Sequence, residues 1–213
     1  MRPRIQLALD TTDLAVALDA AVELREYVNI IEAGTHLLLA EGLRVVALLR
    51  ALFPEKIILA DTKIIDSGDV LAAAACAAGA DIITVVGAAS TSTIEKTAAA
   101  ARAAGKQVLL DHLADKWDTP EILKKSMLEV DYVGLHLPKD LQSSSSMDAS
   151  DLSSVLALFT KPVFLAGGIE PALVSTMVGL PVAGFIVGKY LLHGPQRVEK
   201  ASALKNIVDQ WEK

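Results

Sequence analysis

The run Ile57-Ile58-Leu59-Ala60 is apolar and leads straight into Asp61, Lys63 and Asp66, three charges where a buried strand should close. Side chains two apart on a strand share a face, so the Asp61 carboxylate and the Lys63 ammonium are expected side by side. Such a pair is either a structural salt bridge or part of a reactive centre. Two further apolar runs end alike, IQLALD in Asp10 and VNIIEAG around Glu32. If these strands are neighbours, three carboxylates converge on one lysine, and the surplus negative charge favours a hard divalent cation. Mg2+ suits best, since it takes one or two carboxylates and fills its shell with water and substrate oxygens. Asp66, just past the run, either joins this group or caps a helix beginning near Ser67.

Other apolar runs carry chemistry at the same end: QVLLDHL has Asp111, DYVGLHL has His136, LAGGI has Gly167 and Gly168, and IVGK has Gly188 and Lys189. His136 is either a hydrogen-bonded strand terminus or a proton donor sharing the carboxylates' mouth. Glycines closing the last two strands let backbone N–H groups approach an anion, and Lys189 adds a cation, which together suggest a phosphate site. His36, His112 and His193 have weaker cases, and alternation turns His112 outward if Asp111 faces inward. Cys76, the single cysteine, lies among alanines and reads as a small apolar filler that can form no intrachain disulfide.

These residues need strands to hold them. The β-like runs fall at 5–10, 28–34, 56–63, 81–87, 107–113, 131–137, 162–168 and 183–189, with helical stretches such as 14–27, 41–53, 92–105 and 195–211 between them. Near-continuous apolar strands alternating with helices imply a parallel sheet covered by helices. Eight such units predict a single-domain (β/α)8 TIM barrel over 1–213, with a doubly wound open sheet as the alternative. In a barrel the catalytic groups come from the C-terminal ends of several strands, and charge at five of the eight ends exceeds what a core requires. The serine-rich patch QSSSSMDASD, 142–151, reads as a mobile βα loop over the mouth.

Composition narrows the classes. The 213 residues are 52% hydrophobic and 22% charged, in apolar pieces shorter than a membrane span, which reads as a well-packed soluble chain. A net charge of -6 offers no basic field for nucleic acid or an anionic membrane. The start, MRPRIQLALD, lacks the length and cleavage pattern of a signal peptide, so a cytoplasmic location is expected.

The motifs LALD (7–10), IIEAGT (30–35), ADTKIIDSG (60–68), GADIITVVG (79–87), LLDH (109–112), LHLPKD (135–140) and AGGI (166–169) have a family resemblance. End to end, the chain resembles the 3-keto-L-gulonate-6-phosphate decarboxylase and 3-hexulose-6-phosphate synthase group of the orotidine-5'-phosphate decarboxylase suprafamily. The resemblance implies a homodimeric barrel, Mg2+ held by Glu32 and Asp61, and a phosphorylated ketose as substrate. The metal would stabilise a cis-enediolate left when a carbon–carbon bond breaks or forms, and Lys63 would polarise the same oxygens. Asp10 and Asp66 would orient Lys63 and substrate hydroxyls, with Asp66 reaching in from the partner subunit.

The two activities divide on a few positions. Decarboxylases of this group carry Glu after strand five, His and Arg after strand six, Thr before Gly-Gly and Gly-Arg at strand eight. Here stand Asp111, His136 with Lys139, Ala166, and Gly188 with Lys189. Asp111, Ala166 and TVVG lean toward the synthase, whereas Lys139, Lys189, the DTK triplet and Trp211 lean toward the decarboxylase. Decarboxylation of 3-keto-L-gulonate 6-phosphate is expected, with Lys139 holding the water that protonates the enediolate. Aldol condensation of formaldehyde with ribulose 5-phosphate is the alternative. Orotidine-phosphate decarboxylation needs no metal and is disfavoured by Glu32. From another class, a non-catalytic phosphosugar-binding barrel is opposed by the intact Asp10, Glu32, Asp61, Lys63 and Asp66.

Overall fold

A computed structural model of the chain describes residues 2–114, 119–138, 140 and 149–211. Eight strands, β1 Arg4–Ala8, β2 Ile30–Ala33, β3 Ile57–Ile64, β4 Ile82–Val86, β5 Gln107–Leu113, β6 Tyr132–His136, β7 Val163–Ala166 and β8 Val182–Val187, pair in sequence order into a closed parallel barrel. The doubly wound alternative is thereby excluded. Helices α1 Leu14–Leu24, α2 Thr35–Glu41, α3 Arg44–Leu52, α4 Gly68–Ala77, α5 Thr91–Ala103, α6 Pro120–Ser126, α7 Ala149–Leu156, α8 Pro171–Thr176, α9 Lys189–Leu192 and α10 Arg197–Val208 surround it. Among the described residues no helix is long and apolar enough to cross a membrane.

Period-2 alternation splits the apolar strands into two cores. Outward residues such as Ile5, Leu7, Ile31, Ile58, Ile83, Val108, Leu135 and Phe185 pack under the helices, while Ile30, Leu59, Ile82, Leu109 and Phe164 form a smaller plug inside the barrel. Below the plug, Tyr132 donates from its hydroxyl to Gln107 at 3.2 Å and packs edge-on against Phe164. Two residues above the plug, on the same inward phase, come Glu32, Asp61, Thr84, Asp111 and Ala166. The plug is therefore the floor beneath the charged residues. It shields them from water on one side, which strengthens every charge interaction above it.

Local signals set the helix ends. Asp13 caps α1 by accepting from the backbone of Ala15 and Val16, Ser90 caps α5, and Thr119 followed by Pro120 opens α6. The expected helix over 41–53 is α3 and starts later, at Arg44: Glu41 ends a separate α2, and Gly42, with φ of +67°, takes the chain out of that helix before α3 begins. The expected loop over 142–151 also ends sooner, since α7 starts at Ala149. Lys139 and residues 141–148, on which the loop and proton-delivery expectations rest, lie outside the described residues.

The departure that matters most is in β3. Ala60 pairs with Ile83 and Ile64 with Val85, so Asp61, Thr62 and Lys63 stand opposite the single residue Thr84. Lys63 takes up a left-handed backbone, φ +43°. An ordinary pleat was expected to bring Asp61 and Lys63 onto one face; a bulge does it instead.

Candidate active site

Lys63 lies at the centre of the barrel mouth. Its Nζ is 2.7 Å from Asp111 Oδ2 and 3.0 and 2.9 Å from the two Asp61 oxygens, so one ammonium bridges β3 and β5. Asp61 is buried and also accepts from Thr84 Oγ at 2.9 Å and Thr35 Oγ at 2.6 Å. Burial alone would lower the Lys63 pKa, but the charges of Asp111 and Asp61 outweigh it and raise the value. Lys63 therefore stays an ammonium and acts as a positive charge, not as a base.

Asp111 is almost wholly buried, which by itself would favour the neutral acid. His136 and Lys63 overcome that and hold its carboxyl below the usual range. Nδ1 of His136 lies 3.4 Å from Asp111 Oδ1, close enough for an ion pair, and among the described residues that buried oxygen has no hydrogen-bond partner. His136 thus joins the charged mouth. His112 does not: it turns outward over Gly87, where a Cβ would collide with its Nδ1. His193 is also elsewhere, closing α9, where its backbone N–H donates to the Lys189 carbonyl and its backbone oxygen accepts from Lys200.

Glu32 sits inside the barrel mouth on β2, and Gln6 donates to its Oε2 at 2.6 Å. Its pKa is raised well above the usual carboxylate value, first by burial and then by the charges of Asp61 and Asp10, with Gln6 and Lys63 only partly opposing. Two hard oxygen donors with more negative charge than the site can carry unaided are what a divalent cation would relieve. Among the described residues no set of three or more His, Cys, Asp or Glu side chains could hold a metal. Glu32 and Asp61 nevertheless fit an ion such as Mg2+, which leaves most of its shell to water and substrate.

Asp10 follows β1 and is wedged between two glycines. A Cβ on Gly34 would collide with its Oδ1, and one on Gly188 would sit 3.0 Å from its Oδ2. His36 approaches the same carboxylate at 3.5 Å. Two strands round the barrel from β1, Gly167 and Gly168 follow β7 with φ of +102° and +67°, a backbone that glycine adopts without strain. Gly188 precedes α9, whose first residue is the exposed Lys189.

Asp66 stands apart. It is exposed, and among the described residues it has no hydrogen-bond or ion-pair partner; Ser67 heads α4 with no side-chain cap. The helix-capping alternative is not what the chain adopts. Three residues that serve this site were not singled out from the sequence, Gln6, Thr35 and Thr84, and His36 was given only a weaker case. The first three are uncharged, and Thr84 inside IITVV reads as a good strand former. Only its phase, two residues beyond a plug residue, marks it.

The sequence matches the family described as Orotidine 5'-phosphate decarboxylase / HUMPS over residues 3–203. A 3-keto-L-gulonate-6-phosphate decarboxylase of Escherichia coli is 36% identical over 211 residues, covering 98% of this chain and 96% of that one. A 3-hexulose-6-phosphate synthase of Bacillus subtilis is 31% identical over 207 residues, covering 97% and 99%. A solved structure of KGPDC from Streptococcus mutans, in complex with a sugar phosphate, superposes with a TM-score of 0.92 at 28% identity, over 100% of both chains. With an ammonium bridging β3 and β5 over a buried glutamate, and with relatives of both kinds matching along nearly their whole length, the chain belongs to the Orotidine 5'-phosphate decarboxylase / HUMPS family.

Proposed function

We propose that the chain is a carbon–carbon lyase that decarboxylates 3-keto-L-gulonate 6-phosphate to L-xylulose 5-phosphate through an enediolate. The observation that carries this is Lys63, a protonated amine fixed between Asp61 and Asp111 at the mouth of a closed barrel. When CO2 leaves, the electron pair stays on the ketose and spreads onto its oxygens, and a preorganised ammonium stabilises that charge. Mg2+ held by Glu32 and Asp61 would supply Lewis-acid stabilisation of the same charge. Asp111 keeps Lys63 aimed. His136, beside Asp111, would pass a proton toward the carbon that lost CO2, and Lys139 would hold the delivering water. Asp10 orients a substrate hydroxyl, while the backbone at Gly167, Gly168 and Gly188, with Lys189, takes the phosphate.

The working unit is proposed to be a homodimer in the cytoplasm, with Asp66 completing the partner's site. Asp66 finds nothing to bind among the described residues of its own chain. Leu39 on α2 and Ile65, Val70 and Leu71 around the start of α4 are large, exposed and apolar, and all flank the end of β3.

A second reading has its own support. Asp111 and Ala166 are smaller than the Glu and Thr expected of a decarboxylase, which leaves room for formaldehyde to add to the enediolate, the 3-hexulose-6-phosphate synthase reaction. Offering 3-keto-L-gulonate 6-phosphate in one assay and formaldehyde with ribulose 5-phosphate in the other, and comparing kcat/KM, decides between them. Exhaustive EDTA treatment is expected to abolish the preferred activity and Mg2+ to restore it. Full turnover after chelation would sink the metal-dependent reading.

A further inference from the structure

The β3 bulge has a single counterpart on the neighbouring strand. Asp61, Thr62 and Lys63 all face Thr84, and each is tied to it. The Lys63 backbone N–H donates to Thr84 Oγ at 2.9 Å, Thr84 Oγ lies 2.9 Å from Asp61 Oδ1, and Thr62 Oγ donates to the Thr84 carbonyl at 2.9 Å. Thr84 is 3% exposed, inside the barrel and directly above the plug residue Ile82.

The direction of these bonds is forced. A hydroxyl has one proton and two lone pairs, and a backbone N–H can only donate. Thr84 Oγ must therefore accept from Lys63 and give its own proton to Asp61. One oxygen thus sets both the backbone that aims the lysine and the carboxylate that meets it. A bulge pulls residues out of the strand ladder, so the Lys63 N–H needs an acceptor from elsewhere. Lys63 also holds a φ of +43°, which residues with a Cβ adopt reluctantly and keep only where the surroundings over-determine it.

We infer that Thr84 is a positioning residue for the reaction, its hydroxyl locking Lys63 and Asp61 in their working arrangement without touching substrate. This rests on the lyase reading above for its kinetic consequence, but not for its structural one. Thr84→Val keeps the shape and deletes the hydroxyl; Thr84→Ser keeps the hydroxyl and deletes the methyl.

The test has two arms. In protein free of metal and substrate, amide hydrogen exchange followed by NMR is expected to speed up at Lys63 by about 10-fold or more in Thr84→Val, because its N–H loses its acceptor. Amides of Ile58 and Ile83 should stay near wild type. In the assays above, kcat is expected to fall about 10- to 100-fold with KM within about 3-fold, the pattern of a misplaced catalytic group. Thr84→Ser should restore both readings to within about 3-fold of wild type. If Thr84→Val does not fold, Thr84→Cys replaces it, since a thiol donates and accepts weakly and the same direction of change is expected. Wild-type exchange at Lys63 in the variant lacking the hydroxyl overturns the inference, as does a Thr84→Ser enzyme as impaired as Thr84→Val. A wild-type protein inactive on both substrates would remove the lyase reading instead, and the exchange arm would still judge Thr84.

Discussion

Glu32 is a liability in the metal-free chain. Its folded pKa lies well above the ordinary carboxylate value, because burial and the charges of Asp61 and Asp10 resist its ionisation. With a raised folded pKa, its contribution to stability is full below the ordinary range near pH 4 and is lost as pH rises through the folded value. Glu32→Gln keeps the size, can still accept from Gln6 and removes the charge. The metal-free variant is expected to melt roughly 2–8 °C above wild type at pH 8 and nearly level with it at pH 4, by calorimetry. Mg2+ should raise the wild-type melting temperature and leave the variant's unchanged. Equal melting at both pH values would show that the carboxylate is not strained. At this scale Asp10, Glu32, Asp61, Lys63, Asp111 and His136 were legible because a charge ending an apolar run has no place in a core. Gln6 and Thr84 were not, because an uncharged polar residue within such a run looks like ordinary strand, and Thr35 was not, because an uncharged residue opening a helix, as it opens α2, carries no mark of a site.

Two glycines in neighbouring elements show how differently one residue type can act. Gly42 closes α2 with φ +67° and has open space where a Cβ would go, so its role is conformational. Gly34, just before α2, has an ordinary φ of -64°, but a Cβ there would collide with Asp10 and lie 2.9 Å from the Leu9 carbonyl. Its role is spatial. Gly42→Ala is expected to cost roughly 1–2 kcal/mol of stability, read by urea unfolding, with kcat/KM per folded molecule unchanged. Gly34→Ala should push Asp10 aside and lower kcat/KM by about 10-fold or more, since small displacements in a site are expensive. Reversed outcomes would mean that Asp10 does not depend on this close approach. The eight strands were legible because apolar runs recur at regular intervals. The break at Gly42 was hidden, since the apolar spacing of 41–53 runs through it, and the β3 bulge was hidden because a register shift belongs to a pair of strands and leaves no mark on either alone.

The barrel brings Asp10, Glu32, Asp61, Lys63, Asp111 and His136 to one mouth, yet leaves Asp66 at its rim with no partner among the described residues. The closed parallel order of strands followed from eight alternating units, but nothing in one chain's periodicity says whether a second copy completes its site. In a two-fold dimer that set one Asp66 against the other protomer's mouth, the second Asp66 would make the same contact, because an isologous interface repeats every contact twice. Subunit mixing tests this directly. Asp66→Asn and Lys63→Ala should each be nearly inactive alone. If Asp66 works across the interface, a mixed dimer carries both lesions in one site and neither in the other. Equal mixing makes about half the dimers mixed, each with one intact site of two, so about one quarter of wild-type activity should return. If Asp66 works within its own chain, each site in the mixed dimer keeps one lesion and no activity returns. Exchange of subunits must be shown separately, by mass spectrometry of differently tagged chains. With exchange shown, a mixture as inactive as its parents would assign Asp66 to its own barrel, and the apolar surface of Leu39, Ile65, Val70 and Leu71 would then need another occupant.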